Sequence, residues 1–312
     1  MNSPTCGCER SEAESMTAAP ASVGAPPRLS SGVVLLVLLL CATWGGLAPA
    51  IKVALTGVPP VALAAWRFLV GLLAILAWCW LRGIPVRPGR GHATVLAVIA
   101  VLFVAQIALL NVGTRSTSGG HSILLLSTHP LFVALFAHFF LPGDRLNPTK
   151  LAGLILAFLG VAAVLRERMG DGSLGGDALV LVSALLLGAL LTLTKWALRR
   201  GFTPYETLVW EMVPGVAGFF LLSRWLEGPL TWPAGAAVWT AILYQGLVVA
   251  GFAFVAWTLL LERYPASRLT AFQFTTPVFG VVFSALLLGE PLTRGVAAGT
   301  ALVGAGLLLA NR

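Results

Sequence analysis

A few side chains in this largely apolar chain of 312 residues are of types that can bind or gate a solute. Arg67 and Glu211 are single charges inside otherwise apolar stretches. A guanidinium there can hold an anionic group such as a carboxylate through its planar fork of donors, and a carboxylate can attract an ammonium or take up a proton. Alternatively the two charges pair with each other or with backbone and serve helix packing. Gln106, Asn111 and Gln245 are amides with two comparable options, lining a cavity or bonding between helices. Trp44, Trp66, Trp210, Tyr244 and Trp257 offer rings for stacking or for contact with an amine. Trp225, Trp232 and Trp239 fit an interfacial belt instead.

Pro130 follows Ser127, Thr128 and His129, and Pro277 follows Gln273, Thr275 and Thr276. A proline removes one backbone donor and frees the carbonyl four residues back, so both helices are expected to break or kink. At mid-membrane depth such backbone is tolerated only where it lines a cavity or meets a neighbour. Either the Ser and Thr hydroxyls satisfy the kink alone, or the neighbouring polar groups, His129 and Gln273 among them, also meet a substrate. Pro130 and Pro277 are therefore the candidate gating positions. His121, His129 and His138 share one segment, but the step from 129 to 138 is about 900° at about 100° per residue, which turns the rings to opposite faces. No three-His metal site is expected. Cys6 and Cys8 lack the further ligands a metal needs. There is no H-E-x-x-H, phosphate-binding glycine loop or acidic cluster, so the expectation is no catalytic residue, no metal and no cofactor.

These side chains sit in a chain with 58% apolar and only 10% charged residues, against roughly a quarter charged in soluble domains. Breaks at Pro, Gly and charge divide it into ten apolar spans, 32–54, 61–81, 93–113, 119–141, 148–166, 177–198, 205–225, 237–261, 267–288 and 293–311. Each is near the length of about 20 residues needed to cross the hydrocarbon core. The fold class is all-α and integral to the membrane. The net charge of +8 comes from scattered residues rather than a patch, which excludes nucleic acid as a partner. With the N-terminus inside, 12 basic residues fall on cytoplasmic segments, against 5 outside (Arg115, Arg166, Arg168, Arg224 and Arg294). That bias places both termini in the cytoplasm. Residues 1–31 are expected to form a disordered cytoplasmic tail. The basic residues are mostly arginine, which fits a GC-rich genome and hence a bacterium, so the expected location is the bacterial inner membrane.

The second half repeats the first. Gly45 and Lys52 align with Gly188 and Lys195; Gly57, Pro60, Trp66 and Arg67 with Gly201, Pro204, Trp210 and Glu211; Pro130 with Pro277; and Leu146, Gly153 and Gly160 with Leu292, Gly299 and Gly306. Residues 32–166 and 177–311 are thus two copies of a five-helix unit. An odd number of spans per copy inverts the second across the membrane. Two inverted five-helix repeats are the architecture of a transporter with alternating access to a small-molecule substrate. Arg67 and Glu211, at equivalent positions, lie about 10 Å inside opposite faces at about 1.5 Å per residue. Lys52 and Lys195 lie near helix ends, where an ammonium can snorkel to the headgroups. Glycines in the fifth and tenth spans, including Gly295 and Gly299, serve close packing or a homodimer.

Trp44-Gly45 with a following lysine, Trp66-Arg67-Phe68, Pro130, Pro277, Gly143-Asp144-x-Leu146 and Gly289-Glu290-x-Leu292 also carry a resemblance. Over residues 32 to 311 the chain resembles the EamA-type members of the drug/metabolite transporter superfamily. The resemblance implies a ten-helix fold of two inverted repeats around a central cavity, and export of amino acids or other small metabolites. It does not carry a substrate identity. The chain departs from an ideal repeat at Pro142, one residue extra before Gly143, and at Glu211, where symmetry calls for an arginine. A membrane-embedded lipid flippase or lipid-modifying enzyme is the alternative, and an apolar groove opening laterally between helices would favour the flippase.

Overall fold

Ten helical segments, α1 to α10, cross the molecule in the computed structural model, which describes residues 29–117, 119–165, 173–288 and 294–311. The expected tail up to residue 28, the 166–172 connection and Gly289-Glu290 lie outside the described residues, as do the side chains of Lys52 and His121. Six of the segments are individually long and apolar enough to span a bilayer. By continuity rather than by that length criterion, six of the ten are uninterrupted helices: α2 (Pro60–Arg82), α3 (Ala93–Ser116), α5 (Pro148–Leu165), α6 (Leu174–Leu198), α7 (Pro204–Leu226) and α10 (Arg294–Ala310).

The other four are interrupted. Helix α1 runs as Ser31–Gly45 and Leu47–Ala54, and α4 as Gly119–Leu126 and His129–Phe140. Helix α8 has α-helical ends, Ala236–Leu243 and Phe254–Arg263, around a π-helical stretch at Tyr244–Ala253. Helix α9 passes from Ala266–Ala271 through a 3-10 turn at Phe272–Thr275 into Thr276–Leu288. The expected breaks near Pro130 and Pro277 are thus present, displaced a few residues N-terminally, because a proline frees a carbonyl in the turn before it.

The two halves meet about a pseudo-two-fold axis. Equivalent helices face each other, α2 on α7, α4 on α9 and α5 on α10. Contacts between non-equivalent helices recur with the halves exchanged: α3 with α6 and α8 with α1, α4 with α6 and α9 with α1, α2 with α8 and α7 with α3. Missing side chains follow the same symmetry. A Cβ on Gly45 would lie 2.6 Å from the Cβ of Phe279, and one on Gly188 would lie 2.6 Å from the Cβ of Phe132. Gly153 and Gly306 bring α5 and α10 into backbone contact, and a Cβ on Gly306 would be 2.4 Å from the Ala157 nitrogen. Those glycines are used within the chain. Outward-facing residues such as Leu73, Val101, Phe139, Leu221 and Leu308 are large and apolar, as a lipid-facing surface requires.

Candidate functional site

The depth of Arg67 and Glu211 is set by how α2 and α7 begin. Each charge follows the first residue of its helix, Pro60 or Pro204, by seven positions. Helix α7 is capped locally, with the Glu206 N–H donating to Thr203 Oγ1 at 3.1 Å and the Thr203 N–H to Glu206 Oε2 at 3.3 Å. Glu206 Oε1 also accepts the Gly89 N–H at 2.9 Å and faces His92 Nδ1 at 2.8 Å, tying α7 to the α2–α3 loop. Helix α2 begins Pro59-Pro60 and has no capping side chain of its own. Glu227, just beyond α7, supplies the cap, taking the Val61 and Ala62 N–H groups at 2.8 and 2.9 Å.

The next layer is symmetric. Trp66 Nε1 donates to the Thr231 carbonyl at 3.2 Å, and its counterpart Trp210 donates to the Val86 carbonyl at 2.8 Å. These indoles pin equivalent loops of the opposite repeat, which accounts for both residues without a solute. One position further along, the repeats diverge into Arg67 and Glu211. Arg67 lies over the ring of Phe68 at 4.6 Å, and its Nε has no hydrogen-bond partner among the described residues. Glu211 is 6% exposed. Neither residue forms an ion pair, with the other or with any described residue. Mutual pairing is therefore not how this structure accommodates the two charges.

At mid-depth the broken helices meet. Pro130 cannot bond to the Leu126 carbonyl, and His129 Nδ1 lies 2.9 Å from that oxygen in its place. The carbonyl requires a proton on Nδ1. His129 Nε2 lies 2.7 Å from the side-chain amide of Gln273 of α9, which donates to the ring with its nitrogen turned inward, so the ring joins the two breaks directly. Pro277 frees the Gln273 carbonyl in turn, and the Thr276 N–H takes it within the 3-10 turn. Ser127 donates to the Ile123 carbonyl at 2.7 Å, Thr128 to Leu125 at 2.6 Å and Thr275 to Phe272 at 2.7 Å. These hydroxyls are thus used by their own helices, and the imidazole and the amide form the link across the axis.

Beside this joint, Trp44 meets Trp257 edge-on, with centroids 5.2 Å apart and planes at 75°. The break in α1 is held by the Tyr244 hydroxyl, which donates to the Thr43 carbonyl at 2.7 Å. Gln245 is fully buried; its Nε2 reaches the Ala50 carbonyl at 3.4 Å, while its Oε1 has no partner among the described residues. The same holds for Trp257 Nε1. An unmatched buried polar group costs about 1–3 kcal/mol, and these atoms share that state with Arg67 Nε, Thr276 Oγ1 and Asn111 Nδ2. Gln106 is placed elsewhere. Its Nε2 donates to Ser183 Oγ at 3.0 Å and its carbonyl accepts from the same hydroxyl at 2.9 Å, which fastens α3 to α6. Lys195 departs from the snorkelling expectation, because it is 3% exposed and donates to the Leu261 and Glu262 carbonyls at 2.5 and 2.8 Å, closing the end of α8.

Outside the spans, Asp144 anchors the α4–α5 loop. It accepts from Lys150 Nζ at 2.7 Å, from the Ser267 N–H at 3.0 Å and from the Ser267 hydroxyl. Burial alone would push its carboxyl up, but the Lys150 ammonium and these bonds outweigh it and hold the group below the ordinary carboxylate value. A capping or loop-pairing role with an arginine is what the sequence offers for Asp144, and its partners are instead Lys150 and Ser267; the cap from Glu227 was missed, although a helix opening on Pro-Pro is a legible request for a cap from elsewhere.

Ten helices in two exchanged halves, four of them interrupted, make an integral membrane protein of the inverted-repeat class. The EamA-like transporter family model matches residues 31–166 and again 174–312, and the chain belongs to that family. It is 31% identical over 291 residues to a probable terminal-alkyne amino-acid exporter of Streptantibioticus cattleyicolor, covering 91% of this chain and 95% of that one. It is 27% identical over 295 residues to a probable amino-acid metabolite efflux pump of Escherichia coli, covering 88% and 93%. A solved crystal structure shares the fold at a TM-score of 0.79 and 21% identity, over 90% of this chain and 97% of the other.

Proposed function

We propose that this chain is a secondary transporter that exports or exchanges small metabolites, amino acids among them, by alternating access. The observation that carries the proposal is the His129–Gln273 bond, which joins the interrupted stretches of two repeat-equivalent helices at the pseudo-two-fold axis. A joint at that place can be remade as one half tilts against the other, with Pro130 and Pro277 acting as the hinges. Arg67 receives an anionic group of the substrate, and Glu211 attracts its ammonium or carries a coupled proton. Trp44, Trp257 and Gln245 complete the pathway, and Gln106 supports it from the α3–α6 contact. Residues 32–166 and 177–311 act as the two moving units, with both termini in the cytoplasm. The names of the relatives from Streptantibioticus and Escherichia support amino acids as the class to test first.

Reconstitution into proteoliposomes preloaded with unlabelled amino acids, followed by uptake of the labelled compound, tests this directly. Counterflow of at least one amino acid above empty vesicles is expected. Transfer of labelled phospholipid between leaflets, with no counterflow of any soluble metabolite, would replace the proposal with a flippase.

A further inference from the structure

The structure holds a second polar site, away from the central axis, where α4 and α10 end and α9 begins. A cavity of about 80 Å³ lies there, lined by Asp144, Arg145, Asn147, Lys150 and Arg268, with Ala310 at its wall. Its floor is built. Lys150 is only 8% exposed and its ammonium is locked on Asp144 at 2.7 Å, while Asp144 also receives Ser267. The guanidiniums of Arg145 and Arg268 form no ion pair or hydrogen bond with any described residue, while the Arg145 carbonyl accepts from Lys150 Nζ at 3.5 Å. Three cations therefore face one carboxylate and the C-terminus of α10, whose helix dipole is worth about half a negative charge. The cavity keeps a net positive charge.

Repeat symmetry does not demand this charge. In sequence, the counterparts of Arg145, Lys150 and Arg268 are Pro291, Val296 and His121, with Arg294 as a single nearby cation. The cations were thus placed on one face of the membrane only, at the level where helices leave the hydrocarbon. Basic pockets between helix ends at that level bind phosphate-bearing headgroups. The volume suits a phosphate group, and two guanidiniums give it paired donors. We infer that this cavity binds a phosphate group carried by an anionic molecule at the membrane face, distinct from the transported substrate.

Purified full-length protein in detergent, titrated with phosphatidylglycerol or phosphatidylcholine and read by native mass spectrometry, tests the inference. Phosphatidylglycerol should be retained in preference to the zwitterionic lipid, whose choline the cavity repels. R145Q/R268Q should lose about tenfold or more of that retention, the scale of one lost charge-assisted contact, whereas R145K/R268K should keep part of it. Arg82→Gln, a cation near the same face that stacks on Trp78, should leave it unchanged. Added inorganic phosphate separates the sources: displacement of the lipid assigns the site to soluble phosphate compounds, and persistence assigns it to a headgroup. Equal retention of the two lipids, undiminished retention in R145Q/R268Q, or an equal loss in Arg82→Gln would overturn the inference. Unchanged elution on size exclusion confirms that the variants fold.

Discussion

Helices α2 and α7 are equivalent elements of the two repeats, and comparing them separates scaffold from site. Both begin on proline with a glutamate at the cap, and both send a tryptophan to a loop carbonyl of the opposite repeat. One residue later they carry opposite charges. Duplication has kept the contacts that set position, and the repeats diverge at the residue the proposed function assigns to the substrate. Equivalent positions should therefore respond alike when they support the bundle and unlike when they face the pathway.

The largest expected effect tests the scaffold where the repeats diverge in their support. Asp144→Ala strands the Lys150 ammonium and the Ser267 N–H, and should cost about 3–5 kcal/mol of stability, measurable as loss of folded protein on size exclusion. Its sequence counterpart Glu290 has Val296 where Asp144 has Lys150, so Glu290→Ala should cost less. The depressed Asp144 value gives the pH dependence its sign: the contribution is complete from neutral pH down to the ordinary carboxylate range and is lost as pH falls further through the depressed value. A melting midpoint that falls between pH 8 and 6 in wild type but not in Asp144→Ala would contradict that assignment.

The pathway charges come next. Arg67→Ala should weaken substrate binding by roughly 1.5–3 kcal/mol through loss of a charge-assisted bond, and Arg67→Lys should recover only part of it. Glu211→Gln should spare exchange while removing any pH dependence of net transport. Identical kinetic signatures in the two variants, per folded molecule, would mean that the charges act together as structure. Gly45→Ala and Gly188→Ala should each cost about 1–3 kcal/mol by overpacking, since both meet a phenylalanine Cβ at 2.6 Å. The smallest effect is Trp66→Phe or Trp210→Phe, about 0.5–1.5 kcal/mol apiece for one hydrogen bond. A large difference within either pair would weaken the view that the scaffold is shared.

The ten spans were legible because apolar length and Pro, Gly and charge punctuation are local properties, and their ends agree with the structure to a few residues, 61–81 against Pro60–Arg82 for example. The repeat was legible because glycine, proline and tryptophan cannot drift freely where backbones touch or chains turn. What stayed hidden depends on partners distant in sequence. Nothing near Lys195 announces the Leu261 carbonyl, and nothing near Gln106 announces Ser183. Nor does anything near the π-helical stretch of α8 announce that Tyr244 and Gln245 reach carbonyls of α1. His129 and Gln273 were each recognisable as polar neighbours of a proline, but their mutual bond required the inverted pairing of α4 with α9.

The central claim is one pathway through both halves that opens to either face in turn. It is tested most directly by placing single cysteines at positions 67 and 211 in a chain whose Cys6, Cys8, Cys41 and Cys79 are replaced by serine. Each would be probed with a membrane-impermeant thiol reagent added to one side of oriented vesicles at a time. The account predicts that both positions are labelled from either side. Labelling of each position from its nearer face alone would contradict it.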